Sequence, residues 1–191
     1  MNNNKTADEA LQLLTDGNNN FVDDMLDGKL QNSSRRNELV GGQSPYAIIL
    51  SCADSRVVPE IAFDKGLGEL FVIRVAGNIP NTSSIASIEY AVAHLGVNLI
   101  VVLGHENCGA VAAAIQGGDN GANLNHLLDH ISPALHACES KETNTVVKKN
   151  AELTAEALVE KSSIIKDATS KGLKIIPGFY NLGTGKVDFL N

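Results

Sequence analysis

The chain has 191 residues, of which 43% are hydrophobic, and it carries a formal net charge of -7 with a pI of about 5.2. A chain of this length and apolar content can bury one core, so we expect a single domain over residues 1–191. An acidic chain without a basic cluster argues against nucleic acid or an anionic membrane surface as a partner. The start, MNNNKTADEA, has no apolar stretch after its lysine, and no apolar run reaches the roughly 20 residues of a transmembrane helix. We therefore expect a cytoplasmic protein, or a periplasmic one if a signal peptide had been trimmed.

The amino-terminal part of the chain has a helical pattern. Over residues 6–28 apolar residues recur at helix-like spacing, which predicts one or two amphipathic helices. Gly17 and the asparagines after it are expected to interrupt them. Residues 29–45 are polar and contain glycine, so we expect irregular structure there.

Three apolar runs follow, and each is typical of a buried parallel strand. They occupy residues 46–50, 70–75 and 99–103. Between the second and third runs, residues 83–95 have apolar side chains at helical spacing, and Gly96 follows as a stop signal. This order predicts a βαβ unit and hence a parallel sheet.

The rest of the chain continues the alternation of helices and strands. Residues 108–116, 123–138 and 145–170 are expected to be helical. A strand-like run at 173–176 leads through a Thr-Gly-Lys turn signal to a last strand at 187–190, which predicts a C-terminal edge hairpin. We therefore predict an α/β fold with a mostly parallel central sheet flanked by helices, and in such sheets sites lie outside the carboxyl ends of the strands.

Two segments with metal-binding side chains stand at those strand ends. Cys52-Ala-Asp-Ser-Arg56 follows the first apolar run, and His105-Glu-Asn-Cys108 follows the third. Thiolate and imidazole both suit zinc, which prefers four ligands in a tetrahedron. Cys52, His105 and Cys108 therefore predict a zinc site, and three protein ligands with an open fourth position are typical of a catalytic zinc.

Asp54 and Arg56 leave two arrangements open. Alternate side chains of an extended segment share one face, so Cys52, Asp54 and Arg56 would point the same way. Asp54 could then be a fourth metal ligand, or it could pair with Arg56 and leave the fourth position to water. Arginine can orient a carboxylate in its fork without competing for the metal.

Each of these residues also has a purely structural interpretation when it is taken alone. A buried histidine that bonds a backbone group would explain His105. Asp54 and Arg56 could form a structural ion pair, and Cys52 could be a small core residue. Their combination at two strand ends of one predicted sheet favours the metal site.

The remaining cysteine and histidines are expected to have no chemical role. The chain has three cysteines, and an odd number does not suit a disulfide scaffold. Cys138 lies in a helix-like stretch and is expected to be buried. The other histidines are also on helix-like stretches and are expected to be surface or capping residues, namely His94, His126, His130 and His136.

The two metal-binding segments resemble the signature pair of the β-class carbonic anhydrases. The resemblance extends over nearly the whole chain and includes the stretches 71–78 and 87–90. It implies a lyase that interconverts carbon dioxide and bicarbonate by attack of a zinc-bound hydroxide. It also implies one zinc ion per chain and a dyad that opens or closes the site. The implied zinc ligands are Cys52, His105 and Cys108, and the implied dyad is Asp54 and Arg56.

The resemblance further implies how the substrate and a partner subunit are bound. The active sites would lie at the interface of a homodimer or a dimer of dimers, with the N-terminal helical arm, residues 1–40, on the neighbouring subunit. Plant-type members, whose site stays open, have a glutamine that falls on Gln43. Their pocket for carbon dioxide and bicarbonate uses residues that fall on Phe71, Tyr90 and Gly109.

A second group of the family is inhibited by bicarbonate at a separate site that relies on a tryptophan. This chain has no tryptophan and has Ile49 at that place, so we expect the plant-type subgroup. The chain departs from the plant-type pattern at Ala76, which predicts a roomier pocket, and at Glu106, which adds a negative charge near the metal. Three other interpretations remain open: a carbon disulfide hydrolase on the same scaffold, a zinc protein with a structural or bicarbonate-sensing site, and a metal-free α/β binding domain.

Overall fold

A five-stranded sheet forms the centre of the structure, a computed structural model that describes residues 5–190. The strand order is β2-β1-β3-β4-β5. The first four strands in this order are parallel, and β5 pairs antiparallel with β4 at the edge. The strands are β1 (Ala47–Ser51), β2 (Leu70–Arg74), β3 (Leu99–His105), β4 (Lys174–Tyr180) and β5 (Val187–Phe189).

Helices cover both faces of this sheet. A short 3-10 turn, Ala76–Asn78, follows β2. The helices are α1 (Ala7–Val22), α2 (Ser33–Leu39), α3 (Pro59–Ala62), α4 (Thr82–Leu95), α5 (Gly109–Gln116), α6 (Ala122–Asp129), α7 (Ser132–Ala137), α8 (Thr143–Lys161) and α9 (Ser163–Thr169). The predicted α/β fold with a mostly parallel sheet is therefore confirmed.

The alternation of side chains along β1 divides the core into two layers. Ile49 packs on the face that α1 covers, together with Leu14. Ile48 and Leu50 pack on the opposite face, together with Ile88 of α4. All five side chains in these layers are fully buried. Each contributes about 1.5–3 kcal/mol relative to an exposed side chain, so the sheet is a rigid base for the loops at its carboxyl end.

Helix α1 continues through Gly17, where we expected an interruption. A Cβ atom at Gly17 would lie 1.8 Å from the carbonyl oxygen of Phe63, so glycine allows the helix to approach that backbone closely. The next residue fixes the contact, because Asn18 Nδ2 donates to the carbonyl oxygens of Ala62 (2.9 Å) and Gly185 (2.8 Å). Gly17 is thus a packing residue within a single helix.

Helix α1, within the expected N-terminal arm, packs in part against its own chain. Ala10 and Leu14 are fully buried against the sheet of their own chain, so the apolar face of α1 is already covered. Val22 at the end of α1 remains 39% exposed, and the placement of the arm on a neighbouring subunit stays a prediction. Residues 1–4 of the expected arm lie outside the described residues. Within 29–45, where we predicted irregular structure, α2 forms because Asn32 caps it by accepting a hydrogen bond from the amide of Arg35 (3.0 Å).

Two of the predicted helices are each divided in two. The stretch 123–138 forms α6 and α7, and Pro133 stands in the first turn of α7, where a missing amide hydrogen is tolerated. The stretch 145–170 forms α8 and α9. Ser162 has an extended backbone between them, and its hydroxyl accepts a hydrogen bond from the amide of Ile165 (3.1 Å), which begins α9.

Candidate metal centre

Three buried metal-binding side chains meet at the carboxyl end of the sheet. Cys52 directly follows β1, His105 is the last residue of β3, and Cys108 precedes the first residue of α5. Their ligand atoms all lie within 4.8 Å of one another. The parallel neighbours β1 and β3 end side by side, which brings together residues that are more than fifty positions apart in the sequence.

The geometry of these three residues fits a tetrahedral zinc ion. The two sulfur atoms of Cys52 and Cys108 are 4.0 Å apart, and two zinc–sulfur bonds of 2.3 Å at a tetrahedral angle would separate them by about 3.8 Å. Nδ1 of His105 lies 2.9 Å from the carbonyl oxygen of Glu106 and donates its proton to it, which leaves a lone pair on Nε2. That Nε2 atom is buried without a hydrogen-bond partner among the described residues. A metal ion would satisfy it.

The thiols of Cys52 and Cys108 differ in their pKa values because each acts on the other. A hydrogen bond from Cys108 lowers the pKa of the Cys52 thiol to about 4 against the opposing effect of burial. The amide of Gly77 also donates to the Cys52 sulfur over 3.3 Å. The pKa of Cys108 is raised, because its proton bonds the Cys52 thiolate and because it is buried. A thiolate ligand is thus prepared before a metal binds.

The carboxylate of Asp54 lies on Arg56, which is one of the two arrangements left open by the sequence. The Arg56 side chain donates to both carboxylate oxygens, from Nε to Oδ1 over 2.9 Å and from Nη2 to Oδ2 over 2.7 Å. These bonds hold the pKa of Asp54 well below its usual range. Oδ2 is 3.8 Å from Nε2 of His105, whereas two ligands of one tetrahedral zinc would be about 3.3 Å apart here.

Several residues that position the site were missed in the sequence. Arg74 at the end of β2 donates to the backbone carbonyls of Cys52 (3.1 Å) and Asp54 (2.7 Å). Asn150 of α8 donates to the carbonyl oxygen of Gly77 over 2.9 Å. A charged residue at the end of an otherwise apolar strand was the available signal for Arg74, whereas the contact of Asn150 depends on helix packing.

The loop between His105 and Cys108 is held by two further contacts. Asn107 has a positive φ of 52°, and its amide donates to the side-chain oxygen of Asn144 over 2.9 Å. The carboxylate of Glu106 accepts a hydrogen bond from the amide of Leu182 over 3.0 Å. The negative charge that we expected near the metal thus also ties the metal loop to the loop between β4 and β5.

The four expected substrate-binding residues are not all near the metal-binding cluster. Gly109 follows Cys108 and is exposed at the start of α5. Gln43 and Tyr90 line an open groove of about 740 Å³ with Leu70, at the end of the strands opposite the cluster. The ring of Phe71 packs against that of Tyr90, with 6.3 Å between the centroids. Within one chain, Gln43, Phe71 and Tyr90 therefore lie away from the metal-binding cluster.

The family model described as "Carbonic anhydrase" matches residues 47–187. The chain is 37% identical over 185 residues to "Carbonic anhydrase 2" of Mycobacterium tuberculosis, which covers 93% of this chain and 89% of that protein. It is 35% identical to the carbonic anhydrase of Mycolicibacterium smegmatis, over 98% of this chain and 94% of that protein. This chain belongs to the β-class carbonic anhydrases. The expected family, lyase activity and dependence on zinc are thereby confirmed.

Solved structures of the class have the same fold as this carbonic anhydrase. One of two tetrameric β-carbonic anhydrases of Sordaria macrospora superimposes with a TM-score of 0.76 at 28% identity, over 84% of this chain and 87% of that one. The β-carbonic anhydrase of Coccomyxa, in complex with acetazolamide, gives a TM-score of 0.72 at 28% identity, over 94% and 86% of the two chains. Among the described residues, no helix has the length and apolar character that a membrane crossing requires.

Proposed function

We propose that this carbonic anhydrase is of the plant type, with zinc on Cys52, His105 and Cys108 and with a fourth position left open to water. The observation that carries this proposal is the pair of hydrogen bonds that the Arg56 side chain donates to the two carboxylate oxygens of Asp54. The carboxylate oxygen is about 0.5 Å farther from His105 than a fourth ligand would be. Held in this way, Asp54 does not complete a closed structural site.

Zinc supplies the activated water, because it lowers the pKa of a water molecule bound to it. Cys52, His105 and Cys108 would hold the zinc, and Asp54, whose Oδ2 lies 3.8 Å from Nε2 of His105, would be available beside it as a hydrogen-bond acceptor. Arg56 keeps this carboxylate ionised and in place.

The substrate pocket is proposed to be completed by a second copy of the chain. Carbon dioxide is small and apolar, so it requires an apolar pocket with one amide donor beside the metal. Gln43, Phe71 and Tyr90 provide such groups, but they lie at the opposite end of the strands in one chain. A second copy would bring its own three residues to this metal centre, in a homodimer or a dimer of dimers.

The surface around these residues has the character of an interface. Val40 and Leu67 line the same groove as Tyr90, and their exposed fractions are 83%, 41% and 48%. Strand β2 is also an outermost strand of the described sheet. Contiguous exposed apolar residues of this kind mark association sites. The relative from Sordaria macrospora, described as tetrameric, supports the same proposal.

Two further features support the finer assignments. Ile49, at the place of the tryptophan of the bicarbonate-inhibited group, is fully buried in the core and offers no polar group to an anion. We therefore expect no inhibition of that kind. The three cysteines are free, and the sulfurs of Cys52 and Cys108 face each other without a disulfide. Free thiols suit a reducing compartment, and we propose a cytoplasmic location.

The experiment that tests this function is stopped-flow hydration of carbon dioxide at several pH values, with zinc counted on the same sample. We expect one zinc ion per chain and fast hydration at neutral pH. Zinc without hydration at any pH would leave a closed structural or sensing site. Hydration that begins only at high pH would keep the enzyme and contradict the plant-type assignment.

A further inference from the structure

Arg74 joins the edge strand to the turn that carries the first cysteine and the dyad carboxylate. Its Nε atom donates to the carbonyl oxygen of Cys52 over 3.1 Å, and its Nη2 atom donates to the carbonyl oxygen of Asp54 over 2.7 Å. One planar guanidinium group therefore holds two backbone carbonyls that are two residues apart. Donors fixed in one plane are specific to arginine, since the ammonium group of lysine is a single point charge.

The backbone of Arg74 is itself fixed by the sheet. Arg74 is the register partner of Ser51 in the parallel pair of β1 and β2, and the amide of Val75 donates to the carbonyl oxygen of Ser51 over 3.0 Å. The side chain thus extends from a rigid element to the turn, which is the arrangement that keeps a functional group in one position. The turn beyond Ser51 lies outside the ladder, and its Asp54 carbonyl oxygen accepts from the amide of Val57 (3.1 Å) as well as from the guanidinium.

We propose that Arg74 is a positioning residue for the hydration reaction, which fixes the backbone of Asp54 so that its carboxylate stays on Arg56 and off the metal. This inference rests on the proposed function of the same site. The carboxylate oxygen is only about 0.5 Å beyond the distance of a ligand from His105. A small displacement of the turn would therefore decide between an open and a closed site.

The test compares Arg74→Lys with the unaltered full-length chain, each loaded with zinc or with cobalt(II). We expect Arg74→Lys to bind one metal ion and to lose kcat by about tenfold or more with a smaller change in KM, since a misplacement of about 1 Å can cost a hundredfold. The visible absorption of the cobalt form should change as the carboxylate enters the coordination sphere. In the Asp54→Asn background, Arg74→Lys should leave the cobalt spectrum and the zinc affinity unchanged.

The control is Lys141→Gln, because Lys141, in the loop after α7, also donates to two backbone carbonyls, those of Leu135 and Cys138. It should lower stability without changing the cobalt spectrum. Normal kcat in Arg74→Lys would overturn the inference. So would a lower kcat with an unchanged spectrum, or spectral and affinity effects that persist in Asp54→Asn. Arg74→Gln, which retains one donor, undergoes the same comparison if Arg74→Lys does not fold. Failure of the unaltered chain to hydrate carbon dioxide would instead contradict the proposed function.

Discussion

Oδ2 of Asp54 lies 3.8 Å from Nε2 of His105, close to the position of a fourth metal ligand but bonded to Arg56. The histidine nitrogen has no hydrogen-bond partner in the described part of the chain. Two hydrogen bonds from the Arg56 side chain fix the carboxylate beside this nitrogen. We therefore expect the activity of the site to depend on Asp54 and Arg56 as well as on the three cluster residues.

Removing the partner of Asp54 should slow the reaction without removing the metal. We expect Arg56→Gln to keep one zinc ion per chain and to lower kcat/KM at neutral pH by about tenfold to a hundredfold, because the released carboxylate is no longer oriented. Stopped-flow hydration with zinc analysis measures both quantities. Lys171→Gln, an exposed substitution before β4, serves as control. A rate equal to that of the control would contradict the role of the pair.

The two kinds of cysteine should differ when each is replaced by serine. We expect Cys108→Ser to lose stoichiometric zinc and to melt at a lower temperature, because a metal that binds only the folded state stabilises it. Cys138→Ser is the matched control, since Cys138 is also buried but lies outside the cluster. Zinc content and thermal unfolding with and without a chelator measure the effect. Equal zinc content in the two variants would exclude Cys108 as a ligand.

Gly17→Ala should destabilise the protein. This is the opposite of the usual effect, since alanine in a helix interior is normally about 0.5–1 kcal/mol more stable than glycine. The new Cβ atom would lie 1.8 Å from the carbonyl oxygen of Phe63, so α1 must move away. We expect a loss of about 1–3 kcal/mol in the free energy of unfolding, measured in urea. At Gly183 the described chain has no atom within 4 Å of the Cβ position. Gly183→Ala should therefore unfold at nearly the original urea concentration.

The contribution of Asp64 to stability should depend on pH. Burial acts to raise the pKa of this carboxyl, but hydrogen bonds from Asn20 and from the amide of Asp27 together lower it below its usual value. A lowered folded-state pKa adds stability above the unfolded-state pKa of about 3.9, and this stability is lost as the pH falls through the folded-state pKa.

Asp64→Asn should accordingly cost about 1 kcal/mol of unfolding free energy near pH 7, where the ionised carboxylate accepts these bonds. The difference from the unaltered chain should shrink as the pH falls below about 4. Urea unfolding at pH 7, 5 and 3.5 gives the comparison, with Asp167→Asn on the exposed side of α9 as control. A difference that grows towards low pH would have the wrong sign.

A charge in the proposed interface should dissociate the assembly. We expect Val40→Glu to shift the chain to a monomer and to abolish most of the hydration activity, because Gln43 and Tyr90 would no longer reach a metal centre. Sedimentation velocity and stopped-flow hydration on the same sample measure both effects. Ile164→Glu introduces the same charge at an exposed isoleucine of α9 and should change neither. A fully active monomer would contradict the shared site.

The metal-binding cluster could be predicted from the sequence because each of its residues is next to the end of an apolar run. Cys52 follows β1 and His105 ends β3, and these strands are adjacent in the sheet, so local patterns place the two residues together. The state of Asp54 could not be predicted, since the two arrangements differ by a rotation of one side chain. Gly17 was misread because its conformational freedom suggested a break, whereas its small size is what the packing requires.

The locations of Gln43 and Tyr90 show a second limit of the sequence. The resemblance assigns them to the substrate pocket, whereas the structure places them at the end of the strands opposite the metal-binding cluster of the same chain. Arg74 and Asn150 were missed for a different reason, because both act on backbone carbonyls. Every residue has a carbonyl oxygen, so the residue type of the acceptor does not reveal that a side chain will bond it.

The bond between Glu106 and Leu182 has a consequence for the order in which the chain folds. The acceptor lies between two metal-binding residues, and the donor lies 76 residues later, in the loop before the last strand. Contacts of such long sequence separation form late, because the intervening chain must first be ordered. During synthesis, Cys52, His105 and Cys108 all leave the ribosome well before Leu182. The metal loop therefore acquires this anchor after its metal-binding residues are available, and a chain in which the loop before β5 is not yet folded would hold zinc in a looser site than the folded enzyme has.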